Sequence, residues 1–264
     1  AGTPIVHIDS NPMAISASYE TAYPVLGDAK LALAAVNEAL DTLKPDATFG
    51  GAARVATAKQ AKFAAFEALA TSDDTPIKPE RVVAELNAAL PADAVVVCDP
   101  GTPCPYFSAF YQTSLPGRHF ISNRAHGALG FSMAAAMGAQ IGRPNTKVIS
   151  VMGDGSFAFS VGEVETITRY NLPILFIVFS NSVFGWIKAG QKSGFGERYF
   201  SVDFNRTDHA AVAQAYGVKS WRVEDPRALR GVLDEAARHD GPALVDIISQ
   251  PLQDSQAPVS EWIA

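Results

Sequence analysis

The sequence predicts an α/β protein whose main domain is a doubly wound, mainly parallel, six-stranded sheet with helices on both faces. From residue 77 onward, short apolar segments alternate with segments of helical apolar spacing. Several apolar segments lack any polar alternation, which is typical of strands buried on both faces of a parallel sheet. The composition, 48% hydrophobic and 18% charged among 264 residues, agrees with a globular chain of this class.

The first 44 residues predict a fragment of a second α/β domain. TPIVHID (3–9) is typical of a short buried strand, and AKLALAAVNEAL (29–40) has helical apolar spacing. This stretch is too short for a domain, so we expect it to be the C-terminal part of a domain that begins upstream. Residues 45–76 are predicted to be a linker with a helix near 56–70.

The main domain is predicted to occupy residues 77–250, followed by a tail at 251–264. Its strands are predicted at 94–99, 118–122, 147–152, 173–181, 218–223 and 242–249. Its helices are predicted at 79–91, 127–142, 160–170, 208–217 and 226–239. This alternation predicts a sheet whose ligands bind outside the carboxyl ends of the strands.

The charge and the cysteines exclude several classes of protein. Net charge is −6 and the basic residues do not cluster, which argues against a nucleic-acid partner. Cys98 and Cys104 have no second pair with which to form a zinc site, and we expect reduced thiols. The sequence has no signal-peptide pattern and no apolar stretch of the ~20 residues that a membrane helix needs. We therefore expect a cytoplasmic protein without a membrane partner.

Two polar residues follow neighbouring predicted strands. Asp154 lies between two glycines after strand 147–152, and Asn181 ends strand 173–181. If one right-handed crossover joins these strands, both residues lie at the same sheet edge, where their oxygens suit Mg²⁺ or Ca²⁺. Gly155 and Ser156 then lead into a helix whose free N–H groups can bind a phosphate. The alternative is that Asp-Gly is an ordinary turn.

The segment GDGS (153–156), followed by Asn181, resembles the signature of thiamine-diphosphate-dependent enzymes. The resemblance covers about residues 77–250 and points to the branch that contains acetolactate synthase and related decarboxylases and lyases. Residues 1–44 resemble the end of that branch's middle domain. The resemblance implies thiamine diphosphate and Mg²⁺ as cofactors, with Ca²⁺ or Mn²⁺ as substitutes for the metal. FAD is compatible with the complete enzyme, but nothing in this sequence indicates it.

The resemblance also implies roles for individual residues. The metal ligands would be the side chains of Asp154 and Asn181 and the backbone carbonyl of Val183. The cofactor-binding positions would be Asp99, Gly101, Thr102, Gly127, Leu129, Gly153, Asp154, Gly155, Ser156, Asn181, Val183, Phe184 and Gly185. The Gly127 carbonyl would accept a hydrogen bond from the cofactor's aminopyrimidine, and Leu129 would be the apolar wedge that bends the cofactor. Without the resemblance, Leu129 would be interpreted as helix core.

Two further residues are candidates for the chemistry beside Leu129. His126 could donate to a substrate carboxylate or relay protons, or it could be a structural histidine at a helix start. Trp186, with Phe184, could line the substrate pocket or only pack the following helix. Residues 188–200 could form a lid over bound cofactor or an ordinary surface loop.

The sequence departs from the family pattern at three positions near the metal ligands. Ser180 replaces an Asn that usually precedes the metal-binding Asn, and Val183 stands where Gly is frequent. Neither change removes a ligand, because the second Asn and a backbone carbonyl are retained. Ile187 stands where pyruvate-decarboxylase-like members carry a catalytic Glu, which favours the acetolactate-synthase-like branch.

The resemblance implies that this chain holds only half of an active site. The family's catalytic glutamate lies on a pyrimidine-binding domain, which we expect upstream or on another chain; Glu163 is expected to be structural. The expected enzyme is a homo- or hetero-oligomer (dimer or tetramer), a lyase or transferase that decarboxylates, ligates or cleaves small 2-keto acid or 2-hydroxyacyl substrates. The alternative is a non-catalytic cofactor-binding subunit or degenerate homologue. A nucleotide-binding oxidoreductase is disfavoured, since no GxGxxG follows a strand.

Overall fold

The computed structural model describes residues 2–43 and 50–252. The chain divides into two compact units, residues 1–57 and residues 58–264, and each is described by itself. The predicted tail at 251–264 lies outside the described residues from position 253 onward. The boundary between the units falls within a helix, α2 (Gly51–Ala70), which begins five residues before the helix predicted near 56–70.

The first unit is a two-stranded parallel sheet with one helix. Strand β1 (Val6–Asp9) pairs with β2 (Tyr23–Leu26), and α1 (Ala29–Leu43) follows. The predicted strand and helix are confirmed, but the expected burial of the strand is wrong, since Val6 is 57% exposed. Helix α1 also has no buried residue. Two short strands and one helix are too few to enclose a core.

The second unit contains the main sheet. Its strands are β3 (Val95–Cys98), β4 (Phe120–Ile121), β5 (Val148–Gly153), β6 (Leu175–Ser180), β7 (Lys219–Val223) and β8 (Ala243–Ile248). Its helices after α2 are α3 (Pro79–Ala89), α4 (Pro103–Phe110), α5 (Phe131–Gly142), α6 (Asp154–Ser160), α7 (Glu163–Arg169), α8 (Gly185–Gly194), α9 (His209–Ala215) and α10 (Pro226–Arg238).

All six strands of this sheet are parallel, in the order β4-β3-β5-β6-β8-β7. Two buried apolar clusters lie on its opposite faces. Along β5, Ile149 and Val151 belong to one cluster, and Val148 and Met152 belong to the other. Helices α3, α4 and α10 contribute to the first cluster, whereas α5, α7 and α9 contribute to the second. The predicted fold class is confirmed.

The structure differs from the predicted helices at four places. Helix α4 was not predicted; its two prolines, Pro103 and Pro105, fall in the first turn, where a missing N–H is tolerated. Helix α5 begins at Phe131, not at 127, because Gly127 and Gly130 have φ of 75° and 86°, outside the helical region. The helix predicted at 160–170 is confirmed as α7, and a separate helix, α6, precedes it. Helix α8 occupies much of the predicted loop at 188–200.

Candidate active site

A cavity opens at the carboxyl ends of the neighbouring strands β3, β5 and β6, with an empty volume of about 370 Å³. Its lining residues are Gly101, Thr102, Leu129, Gly153, Asp154, Gly155, Ser156, Val183, Phe184, Gly185, Trp186 and Ile187. All of these except Ile187 are site positions selected from the sequence. Four other selected residues, Asp99, His126, Gly127 and Asn181, do not line it. Helix α8 carries several lining residues because it starts directly after the β6 turn.

The Asp154 carboxylate is held by the backbone of two adjacent strand ends. Its Oδ1 accepts from the Gly155 N–H at 2.8 Å, and its Oδ2 accepts from the N–H groups of Asn181 (2.8 Å) and Ser182 (2.6 Å). The residue is 3% exposed. Burial raises the pKa of Asp154, and these N–H donors partly oppose that rise. The carboxylate is thus buried with no cationic side chain in hydrogen-bond contact among the described residues, a setting in which a metal ion would be the natural counter-charge.

The Asn181 side chain is the clearest unsatisfied group at this edge. Both amide atoms, Oδ1 and Nδ2, are buried, and neither has a hydrogen-bond partner among the described residues. A buried amide without partners costs about 1–3 kcal/mol, so such a group points to a missing ligand. The chain turns at Ser182, whose φ is 59°, and leads to the buried Val183.

The donor set next to the cavity is suited to a hard cation. Within the described ranges, no three His, Cys, Asp or Glu side chains cluster as a metal site. A metal site here would therefore combine one carboxylate, one amide and one backbone carbonyl from the protein with phosphate oxygens from a bound small molecule. This is how Mg²⁺ is bound when phosphates complete its shell. The residues present therefore fit the metal implied by the resemblance.

Gly155 allows an aromatic ring to approach the backbone closely. A Cβ placed on Gly155 would lie 2.4 Å from Cε1 of Phe184, well inside van der Waals contact. The Phe184 ring packs in turn on Phe204, with ring centroids 5.1 Å apart. Glycine at position 155 is thus required by packing at the cavity wall, in addition to its place beside Asp154.

Asp99 supports the cavity from beneath and does not line it. The residue is 0% exposed, and its carboxylate accepts from Ser156 Oγ at 3.0 Å. It also accepts from the N–H groups of Gly130 (3.2 Å) and Ser132 (3.0 Å). Burial raises the pKa of Asp99, and these donors oppose the rise. Asp99 therefore ties the end of β3 to the start of α5 and to α6, and it engages the Ser156 hydroxyl.

The loop before α5 places Leu129 at the cavity and His126 in solvent. Leu129 is half-buried and lines the cavity, so the interpretation as helix core is wrong. His126 is exposed, and its backbone N–H donates to the Asn123 carbonyl at 3.1 Å. It lies five residues before α5 begins, which removes the alternative of a structural histidine at a helix start.

Trp186 lies in the cavity wall, and the guanidinium group of Arg124 stacks on its ring. It is the second residue of α8, and Cζ of Arg124 lies 4.7 Å from the ring centroid. Arg124 was not among the residues selected from the sequence. The one available signal was a basic residue two positions before His126 in the segment NRAHGALG.

A buried polar network anchors β6 immediately before Asn181. The Ser180 hydroxyl donates to Asp246 and contacts His209 Nδ1 at 2.9 Å. Asp246 also accepts from the His209 N–H at 3.2 Å and lies 3.5 Å from Arg222 Nη1. His209 gave no signal in the sequence, because its partners lie on distant strands. The network fixes the strand end that carries Asn181.

The site thus combines an acidic residue, an amide and a glycine-containing turn at adjacent strand ends of a parallel α/β domain, where such sheets bind ligands. The family model "Thiamine pyrophosphate enzyme, C-terminal TPP binding domain" matches residues 99–247, more than half of the chain. The chain therefore belongs to the thiamine pyrophosphate enzyme family, through this C-terminal binding domain.

Several curated proteins are similar to the chain. A probable acetolactate synthase large subunit of Methanococcus aeolicus is 31% identical over 262 residues, covering 94% of this chain and 43% of that protein. The acetolactate synthase of Bacillus subtilis is 34% identical over 169 residues, covering 64% and 29%. The acetolactate synthase isozyme 2 large subunit of Escherichia coli is 31% identical over 170 residues, covering 64% and 31%. The chain thus spans less than half the length of these relatives.

Proposed function

We propose that this chain is the diphosphate-binding half of a magnesium-dependent, acetolactate-synthase-like enzyme that decarboxylates, ligates or cleaves 2-keto acid or 2-hydroxyacyl substrates. The observation that carries the proposal is the buried Asn181 side-chain amide, which has no partner among the described residues. It belongs to the residue whose backbone N–H donates to the buried Asp154 carboxylate at 2.8 Å. The unpaired amide oxygen of Asn181 and the carboxylate of Asp154 are hard oxygen donors, and they would suit a metal bound together with a diphosphate. The names of the relatives support the acetolactate-synthase-like activity.

The main residues of the site have proposed roles. Asp154, Asn181 and the Val183 carbonyl hold the metal, and Gly155 and Ser156 contact the diphosphate. The Gly127 carbonyl and Leu129 orient the aminopyrimidine and bend the cofactor, and His126 moves a proton or contacts the substrate. When bound, thiamine diphosphate supplies the electron sink needed to break a bond next to a carbonyl. The apolar side chains of Leu129, Phe184 and Trp186 would exclude water from that step.

The complete enzyme is proposed to need a second contribution to the site. We infer a pyrimidine-binding domain with the activating glutamate, supplied by upstream sequence or by another chain of an oligomer. Two of the relatives are named as large subunits, which supports association with other chains. In this proposal residues 1–44 end a middle domain, 45–76 link it to the main domain and 77–250 bind the cofactor.

A cytoplasmic location is part of the same proposal. Both cysteines, Cys98 and Cys104, are free thiols, which is consistent with a reducing compartment. No helix within the described ranges is both long enough and apolar enough to cross a membrane.

The metal site is tested by calorimetric titration of thiamine diphosphate into the assembly that contains this chain, with and without Mg²⁺. We expect Asp154→Ala and Asn181→Leu each to abolish magnesium-dependent binding. Asn181→Leu should leave the metal-free protein at least as stable, because it removes two unpaired buried polar atoms. The control is Asp93→Ala, an exposed carboxylate at the other end of β3. Unchanged cofactor affinity in both site variants would refute the assignment.

A further inference from the structure

Arg124 is a cation beside the cavity that has no role in the proposed function. Its side chain is exposed, and its guanidinium lies over the face of Trp186, 4.7 Å from the ring centroid. Trp186 is itself a lining residue of the cavity. The indole Nε1 is buried and has no hydrogen-bond partner in the described part of the chain, and the contact with Arg124 is made by the face of the ring. A stack of this kind holds a guanidinium in a defined place at low entropic cost.

The charge of Arg124 is not neutralised by a carboxylate. Within residues 2–43 and 50–252, Arg124 has no hydrogen bond and no ion pair with Asp or Glu. Lys188 on α8 differs, because it pairs with Asp203 at 2.7 Å. The pKa of Cys104 is lowered chiefly by its hydrogen bond with the Cys98 thiol, and the charge of Arg124 is the last of several causes. Because none of its N–H groups is hydrogen-bonded within the described residues, the five donors of Arg124 are available to a ligand.

The position of Arg124 favours an anion that enters the cavity beside Trp186 and Leu129. Arg124 lies five residues before Leu129, in the exposed loop that leads to the cavity wall. The diphosphate already has a proposed counter-charge, the metal at Asp154 and Asn181. A second cation, on the loop that carries Leu129, therefore suits a different anion. A guanidinium fork matches a planar carboxylate, which it can bind through two parallel hydrogen bonds.

We propose that Arg124, oriented by its stack on Trp186, binds the carboxylate of a 2-keto acid substrate and thereby sets the preference for charged over uncharged substrates. This inference rests on the proposed function, because it needs a cofactor-dependent reaction in this cavity. It goes further by assigning substrate selection to a residue on the loop before α5. Trp186 is in this view a positioning residue that acts through Arg124.

The test compares two probes that provide the same two-carbon unit: pyruvate, which carries a carboxylate, and acetaldehyde, which does not. The complete assembly is assayed as wild type, Arg124→Gln and Arg124→Lys, with carbon–carbon bond formation as the readout. Arg124→Gln should raise the KM for pyruvate roughly ten- to hundredfold, the range expected for losing a charge-assisted hydrogen-bond pair. The KM for acetaldehyde should change less than about twofold. Arg124→Lys should retain part of the pyruvate effect, since it keeps the charge but loses the planar fork.

Two further variants make the result specific. Arg143→Gln removes an exposed arginine at the C-terminal end of α5 and should change neither KM. Trp186→Leu should raise the KM for pyruvate more than that for acetaldehyde, because it removes the stack. Equal KM changes for the two probes in Arg124→Gln would overturn the inference. So would a pyruvate effect that appears in His126→Gln and is absent in Arg124→Gln.

The cofactor measurement separates this inference from the proposed function. Thiamine diphosphate affinity, measured by calorimetry, should be unchanged in Arg124→Gln. A loss of cofactor affinity with an unaltered pyruvate KM would assign Arg124 to the diphosphate. That result would overturn this inference but not the proposed function. A wild-type assembly that neither binds thiamine diphosphate nor consumes pyruvate would instead refute the proposed function. Cofactor binding and pyruvate turnover with no Arg124 effect would overturn the inference and leave the proposed function intact.

Discussion

Replacing Gly155 by alanine tests the packing of the cavity wall directly. The added methyl carbon would lie 2.4 Å from Phe184 Cε1 and 3.0 Å from Cδ1, so the ring or the start of α6 must shift. The Phe184 ring cannot simply rotate into open space, because it packs on the Phe204 ring. The backbone of Phe184 is also held, since its N–H donates to the Val202 carbonyl at 2.9 Å. Gly138→Ala is the matched control, since Gly138 lies in α5 and a Cβ there meets nothing within 4 Å.

The expected magnitudes follow from two opposing effects. Alanine in place of glycine inside a helix stabilises by up to about 1 kcal/mol, and Gly138→Ala should show that gain alone. Gly155→Ala gains less helix stability, because position 155 lies in the first turn of α6. Its added methyl group also overpacks the cavity wall, which costs roughly 1–3 kcal/mol. We therefore expect the free energy of unfolding of Gly155→Ala to fall below that of Gly138→Ala by about 1–3 kcal/mol. A displaced Phe184 should also weaken thiamine diphosphate binding by about tenfold for each 1.4 kcal/mol lost at the site.

Urea denaturation and cofactor calorimetry on the two variants measure these quantities. The decisive comparison is the difference between the variants, because Gly138→Ala shows the helix-propensity gain without the clash. If Gly155→Ala proves as stable as Gly138→Ala and binds cofactor with wild-type affinity, Phe184 is not held against position 155. The packing requirement for glycine at that position would then be refuted.

Two further predictions concern buried side chains that do not line the cavity, Asp99 and Cys104. Asp99→Ala leaves three buried donors without an acceptor and should lower the free energy of unfolding by roughly 2–5 kcal/mol in denaturation. The control Asp93→Ala, at an exposed site, should change it by less than about 0.5 kcal/mol. Equal effects of the two variants would contradict the support role of Asp99. The Cys98 thiol, with the hydroxyls of Ser122 and Ser108 and the charge of Arg124, lowers the pKa of Cys104 to about 6. Because an unfolded thiol titrates at about 8.5, the native thiolate should add stability above that pH, and this contribution should be lost as pH falls from about 8.5 through 6. Denaturation across this range under reducing conditions should show that slope in the wild type and lose it in Cys104→Ser; an identical slope in both would exclude the Cys104 thiolate as its source.

Local sequence patterns predicted most of the elements that build the sheet. Strands such as β5 and β6 are continuous apolar segments, because a strand buried on both faces of a sheet must be apolar on both faces. The weak predictions were the short connecting helices. Helix α4 begins with prolines, which usually signal a break, and α8 lies in a polar stretch with three glycines, which is typical of a loop. Their formation depends on packing against the sheet more than on intrinsic preference.

The sequence by itself determined the position of the candidate site along the chain. The spacing of Asp154 and Asn181 follows from one strand, one crossover and the next strand, and the family resemblance assigned chemistry to both. Backbone topology then brings the two to one edge, because parallel neighbours end at the same edge. The location of residues at strand ends can therefore be predicted from the sequence alone.

Only the tertiary structure decided which side chains face the cavity and which support it. Asp99 and Leu129 were both assigned to the cofactor, but Asp99 is turned into the protein to hold α5 and α6, whereas Leu129 lines the cavity. Arg124 meets Trp186, and Ser180 meets Asp246, across 62 and 66 positions of sequence. The physical reason is that side-chain direction and long-range pairing are set by how helices pack on the sheet, and a single sequence carries no local record of those contacts.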